Sequence, residues 1–167
     1  NSLKWHKLIS NKIKKIDKNK TIILDIPGVK PRTGNEEDVF IKKNEKIIFY
    51  FKKKPKSNQN LQYIEITNPL PKIQKKIFFS INDGEFQFRI IKISKSYIIG
   101  KSLQNVRLLP KKGINIPYSI YDNKLQEKKI IKFIKKAIKF GVKFDAIGLS
   151  FVQNENILKI IKRKFPK

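Results

Sequence analysis

The 167 residues are the length of one domain or two small ones, and 39 Lys and Arg against 13 Asp and Glu give a net charge of +26. A hydrophobic content of 40% excludes a disordered tail, and no apolar run approaches the roughly 18–20 residues of a transmembrane helix. With no Cys and a single His, His6, the chain excludes disulfides, a Cys nucleophile and a multi-His metal site.

Residues 3–16 (LKWHKLISNKIKKI) put Trp5, Leu8, Ile9, Ile13 and Ile16 on one stripe at helical spacing. Thr21–Ile26 is a short continuous apolar run, the pattern of a strand buried on both faces. Helix followed by buried strand is half of a βαβ rhythm. Pro27-Gly-Val-Lys-Pro-Arg-Thr-Gly34 stops it. From there to Gly113 the chain reads as short strands at Val39–Ile41, Lys46–Phe51, Gln62–Ile66, Lys76–Ile81, Glu85–Ile93 and Ser96–Ile99, with no helical stripe. Such spacing predicts a small β-barrel or sandwich. Asn82-Asp83-Gly84 carries a hairpin signal, and Lys52–Asn60 is a Pro-broken basic loop.

After Pro117 the helix–strand rhythm resumes. Leu125–Phe140 is predicted helical, with Ile130, Phe133, Ile134, Ala137 and Ile138 inward and Gly141 ending it. Phe144–Phe151 reads as a buried strand. Asn154–Phe165 reads as a helix capped by Asn154, with Ile157, Leu158, Ile161 and Phe165 inward. The organisation is α/β, then an all-β insertion, then α/β again. Two strands alone would both be edges, so strands from elsewhere in a longer chain are expected to complete the sheet. The lack of any Met also implies a chain trimmed or cut from something longer.

The charge is almost all Lys; only Arg32, Arg89, Arg107 and Arg163 are Arg. Nucleic-acid readers lean on Arg for bidentate contacts. Abundant Lys, Ile and Asn share A/T-rich codons, so mutational bias is a sufficient source of the charge. Such a chain still binds polyanions weakly and in a salt-dependent way. Trp5 and the Phe residues read as core rather than as a base-stacking platform, and nothing near His6 would orient it for catalysis.

Five segments in order carry a family resemblance. Leu24-Asp-Ile-Pro-Gly-Val-Lys-Pro-Arg-Thr-Gly34 resembles the pyruvate kinase segment that leaves the second barrel strand and enters the lid. Ser80-Ile-Asn-Asp-Gly84 resembles the lid's Asp-Asp-Gly turn, and Lys112-Gly-Ile-Asn-Ile-Pro117 resembles the return to the barrel. Leu125-Gln-Glu-Lys-Lys129 is similar to a helix start, and Ala146-Ile-Gly-Leu-Ser-Phe-Val-Gln153 to the third strand. Val29, Pro31, Asn82, Lys129 and Gln153 depart from the family pattern.

The resemblance implies an α/β fold in which partial (β/α)8 TIM-barrel segments, 1–33 and 114–167, flank an inserted small all-β barrel lid at 34–113. It implies phosphoryl transfer from phosphoenolpyruvate to ADP, giving pyruvate and ATP in glycolysis. Arg32 would sit at the barrel–lid hinge and contact phosphates, as its rigid fork suits non-bridging oxygens. Its plainer alternative is a surface Arg paired with Asp25 or Asp38. Asp83 would be a lid carboxylate, or simply a turn residue. Lys112 would lie near the nucleotide, or be solvated. Ser150 and Phe151 would lie near substrate at a strand end, with core packing the alternative for Phe151. Asp25 matches a monovalent-cation ligand, and Lys30 matches family members that do without K+.

The Mg2+ ligands and catalytic Lys of the family are not matched here, so the segment alone should be inactive. A homotetramer and a cytoplasmic address are further expectations, with an organelle-targeting peptide left open. The rival readings are a basic module binding RNA or another polyanion, and a degenerate pyruvate-kinase-like pseudoenzyme.

Overall fold

The structure, a computed structural model, describes residues 2–56, 61–153 and 155–166. In chain order its elements are α1 (Leu3–Ile16), β1 (Ile23–Ile26), β2 (Val39–Ile41), β3 (Lys46–Tyr50), β4 (Gln62–Glu65), β5 (Lys72–Ile73) and β6 (Phe78–Ile81). Then come β7 (Phe86–Ile93), β8 (Tyr97–Ser102), β9 (Val106–Leu108), β10 (Ile114–Asn115), β11 (Ser119–Ile120), α2 (Asn123–Phe140), β12 (Ala146–Leu149) and α3 (Asn156–Lys164). Residues 1–29 with 122–167 form one compact unit and residues 30–121 another. No described helix is long and apolar enough to cross a membrane.

In the first unit, Ser2 caps α1 by accepting the Trp5 N–H, which satisfies one orphan amide of the first turn. Asp122 caps α2 in the same way through Leu125. Gly141 ends α2 at φ 78°, a left-handed conformation that glycine adopts without a Cβ clash. β1 and β12 pair in parallel, Ile23 opposite Ala146 through Ile26 opposite Leu149. Leu24 and Ile26 join Ile130, Ile134, Ala137, Val142, Ile157 and Ile161 in one core.

Several residues expected inward lie at the surface. β1 is not buried on both faces: Leu24 and Ile26 point inward, while Ile23 is 61% exposed and Asp25 is exposed too. The helices cover only one face of this two-stranded sheet, so alternate residues face out. On α1, Trp5, Leu8 and Ile16 are exposed and the buried residue is Ser10. Its hydroxyl takes the Lys143 N–H at 3.1 Å, a polar contact that an apolar stripe does not reveal. Ile138 on α2 and Leu158 on α3, expected inward, are exposed. Asn154, the expected cap of the last helix, lies outside the described residues. Glu155 stands at the start of α3 and makes no side-chain capping bond.

The second unit is built on a six-stranded sheet in the order β10-β6-β7-β8-β3-β4, antiparallel except for the parallel pair β3 and β4. Two short ribbons, β2 with β9 and β5 with β11, lie outside it. β6 and β7 meet at a tight turn in which Asn82, Asp83 and Gly84 all have positive φ. Those are the residue types that tolerate such a turn.

Phe49, Phe79 and Phe88 are wholly buried, with ring centroids 5.1–5.6 Å apart. Gly100 makes room for them, since a Cβ there would lie 2.7 Å from the Phe79 ring. Truncating one such ring typically costs about 3–5 kcal/mol. The edges of the sheet do not stay open. Arg32 bridges Gly113 beside β10, and Thr33 bridges Ile66 beside β4, so residues 31–34 close the sheet on itself. These bridges bring residues 31–34 into the β unit, and the pairings of β10 with β6 and β11 with β5 carry it towards Tyr121, whereas the sequence pattern breaks at 34 and 113.

Candidate functional site

The closing segment alternates like a strand. Pro31 and Thr33 are buried and Arg32 is exposed. Thr33 ties it to one edge: its N–H donates to the Lys112 carbonyl at 2.9 Å and its carbonyl accepts the Lys111 N–H at 3.1 Å. Its hydroxyl accepts the Lys112 N–H at 3.0 Å and donates to the Leu109 carbonyl at 3.4 Å. Arg32 is tied to the other edge, its N–H donating to the Thr67 hydroxyl and its carbonyl accepting the Thr67 N–H. Gly34 donates to the Glu65 carbonyl at 2.8 Å, and a Cβ on it would sit 3.0 Å from that oxygen.

The Arg32 side chain therefore projects outward from a backbone fixed on both sides. One guanidinium nitrogen donates to the Lys111 carbonyl at 3.2 Å. Among the described residues no carboxylate pairs with it. Asp38, the partner considered for it, is taken by Arg107 at 2.7 Å. A guanidinium held by a carbonyl keeps its remaining donors for an anion.

Beside it, the Lys30 ammonium pairs with the Asp83 carboxylate at 3.3 Å. The Lys30 side chain is only 18% exposed and that of Asp83 is 90% exposed. Asn68 donates to the Lys30 carbonyl at 3.0 Å. Gly113 accepts the Asn82 N–H, next in the chain to Asp83, and its Cα lies under the end of the Lys30 side chain. Lys112 takes part through its backbone, and its ammonium makes no ion pair among the described residues. Three sequence-marked residues, Arg32, Lys30 and Asp83, thus meet around the 111–113 segment.

The other unit holds the second cluster, at the C-terminal ends of its parallel strands. Ligands of α/β sheets bind at such ends. The Ser150 hydroxyl donates to Asp25 Oδ1 at 3.2 Å, joining β1 to β12. Phe151 stands at φ 66°, left-handed backbone for a bulky residue. Its carbonyl is held by the side-chain amide of Gln126 at 2.9 Å, which also reaches the Ser150 carbonyl at 3.4 Å. Gln126 is 2% exposed. Phe151 itself is exposed, so it is not core packing. A Cβ on Gly28 would lie 2.5 Å from the Phe151 Cβ, which only glycine avoids.

Sequence reasoning missed Gln126, Thr67 and the role of Thr33. A Gln one turn into a helix gives no periodic signal, and Thr67 sits in an irregular stretch after β4. Two oxygens, from Asp25 and Ser150, face each other at the strand ends. Among the described residues no group of three His, Asp or Glu could hold a metal ion. At the end of the β unit, burial raises the Tyr121 phenol above its ordinary value.

The family model described as "Pyruvate kinase, barrel domain" matches residues 4–165. The chain belongs to the pyruvate kinase family. Among solved structures, Cryptosporidium parvum pyruvate kinase superposes with a TM-score of 0.67 at 21% identity, covering 92% of this chain and 32% of that one. A structure of Cryptosporidium parvum pyruvate kinase in complex with ADP gives 0.63 at 23% identity, covering 92% and 31%. Pyrobaculum aerophilum pyruvate kinase gives 0.60 at 15% identity, covering 98% and 37%. Comparison with curated proteins found no match. The chain thus spans about a third of the length of these pyruvate kinases, and the likeness to them is one of fold.

Proposed function

We propose that this chain supplies the nucleotide-phosphate contacts and part of the substrate surface of a pyruvate kinase, which moves a phosphoryl group from phosphoenolpyruvate to ADP in glycolysis. In this reading the α/β unit is a portion of the (β/α)8 barrel and the β unit is its lid. Homotetrameric assembly and a cytoplasmic address go with it. The observation that carries the reading is the outward Arg32 guanidinium, steadied by the Lys111 carbonyl and paired with no carboxylate among the described residues. Phosphoryl transfer depends on positioning and charge neutralisation, which such a group provides. The ADP-bound state of a fold neighbour supports the ligand class.

Arg32 would contact the transferring or nucleotide phosphates, with Lys112 nearby. Asp83 holds Lys30 in place, and Ser150 and Phe151 border the substrate. Asp25 Oδ1 and the Ser150 hydroxyl are hard oxygen donors of the kind an alkali cation takes. They would form part of a monovalent-cation position, and the ammonium of Lys30 is the feature that goes with independence from K+. The described residues do not fit a divalent-metal site. The Mg2+ of the family would take its ligands from the rest of a full-length chain.

Calorimetric titration with Mg-ADP and with a generic RNA, at about 50 and 200 mM salt, tests the reading. Saturable ADP binding that persists at the higher salt and is lost in Arg32→Ala is expected. Equal, steeply salt-dependent binding of both ligands would instead favour a basic polyanion-binding module.

A further inference from the structure

We propose that Gly113 is the positioning residue of the Lys30–Asp83 pair, and that its missing side chain is what lets the Lys30 ammonium reach Asp83. The inference rests on the reading above only where activity is measured. Lys30 and Asp83 lie 53 residues apart in sequence, on different segments of the β unit. Gly113 touches both. Its carbonyl accepts the Asn82 N–H at 3.1 Å, which anchors the turn that carries Asp83. Its Cα faces the end of the Lys30 side chain: a Cβ built there would lie 2.9 Å from Lys30 Cε and 3.0 Å from Nζ. Contacts that close are essentially absent between real side chains, so an alanine displaces the ammonium.

The same residue bridges Arg32, and the following Ile114 N–H donates to the Pro31 carbonyl at 2.9 Å. One glycine therefore sets the spacing between the Lys30 backbone, the Arg32 backbone and the Asp83 turn. Its φ is outside the left-handed range, so glycine is not required there for backbone freedom. The obstacle an alanine meets is the far end of a flexible lysine, which can swing aside. Gly113→Ala is thus a variant that keeps the fold and moves one ammonium.

The test is residue-resolved lysine acylation on the full-length protein, read by mass spectrometry. In the wild type, half-buried and paired Lys30 should label several-fold more slowly than exposed Lys95. Gly113→Ala should raise Lys30 labelling several-fold, as should Asp83→Asn, with Lys95 unchanged. Unchanged Lys30 labelling in Gly113→Ala would overturn the inference.

A double-mutant cycle on kcat/KM adds the functional arm. Gly113→Ala should lower it with Lys30 present and have little further effect in a Lys30→Met background. A purely structural glycine would cost the same in both backgrounds, and that result would overturn the positioning role. Altered labelling with kcat/KM unmoved by either Gly113→Ala or Lys30→Met would leave the positioning intact and remove Lys30 from the proposed phosphotransferase site.

Discussion

Replacing Thr33 by valine changes one hydroxyl for one methyl at a position with 0% exposure. The hydroxyl accepts the Lys112 N–H at 3.0 Å and donates a long bond to the Leu109 carbonyl at 3.4 Å. Losing the first leaves a part-buried amide without that acceptor, a penalty of about 1–3 kcal/mol. The second, near the outer limit for a hydrogen bond, adds at most a few tenths. The extra methyl recovers some apolar burial, of order 0.5–1 kcal/mol. The net expectation is a loss of about 1–2 kcal/mol, concentrated where residues 31–34 close the sheet. Urea unfolding of the chain gives the magnitude, and hydrogen exchange at the Lys112 amide gives the location. A loss of 1.4 kcal/mol is about tenfold faster exchange if that amide opens with the unit. Thr33→Ser, which keeps the hydroxyl, should preserve Lys112 protection. A Thr33→Val chain with wild-type stability and unchanged Lys112 exchange would refute the closure argument.

Other expectations follow from the strand-end cluster and the buried phenol. Gly28→Ala should destabilise by about 1–3 kcal/mol in urea, because its Cβ would lie 2.5 Å from the Phe151 Cβ and 2.8 Å from the Ser150 carbonyl oxygen. Gln126→Leu should cost about 1–3 kcal/mol and shift the Phe151 backbone resonances, since it strips a buried amide from the Phe151 carbonyl. For Tyr121, burial raises the folded-state value, so the folded chain keeps its phenol proton after the unfolded chain loses it. Stability should therefore hold below about pH 10 and fall as pH rises above it. Tyr121→Phe should flatten that alkaline decline in urea midpoints, and an identical decline in the variant would place its cause elsewhere.

The parts of the fold legible in the sequence are those with a strong local signal. α1 has the bounds its periodicity predicts, the 82–84 turn joins two antiparallel strands, and Gly141 ends α2. β5, β10 and β11 are two residues long, too short for any period to register. Which residues of an element are buried depends on what covers it. Ile23 is as apolar as Leu24, yet only Leu24 joins the core that β1 shares with α2 and α3.

The site shows the same division. Arg32, Asp83 and Lys112 were marked because their neighbours in sequence carry a motif. The pairing of Lys30 with Asp83 was not legible, because it joins segments 53 residues apart and passes over a glycine whose role is a missing atom. Thr33 stood inside the motif, but its function is to close a sheet, and that requires knowing both edges. Gln126 lies within the Leu125–Lys129 segment with no local signal of its own, and its partners, the Ser150 and Phe151 carbonyls, are met only in the folded unit.

The most direct test is steady-state turnover of the full-length protein with phosphoenolpyruvate and ADP, comparing wild type with Arg32→Ala. An outward guanidinium that stabilises developing phosphoryl charge predicts a fall of about 10²-fold or more in kcat, with Arg32→Lys recovering part of it. Turnover of Arg32→Ala within about twofold of wild type, in a chain that remains folded, would contradict the account.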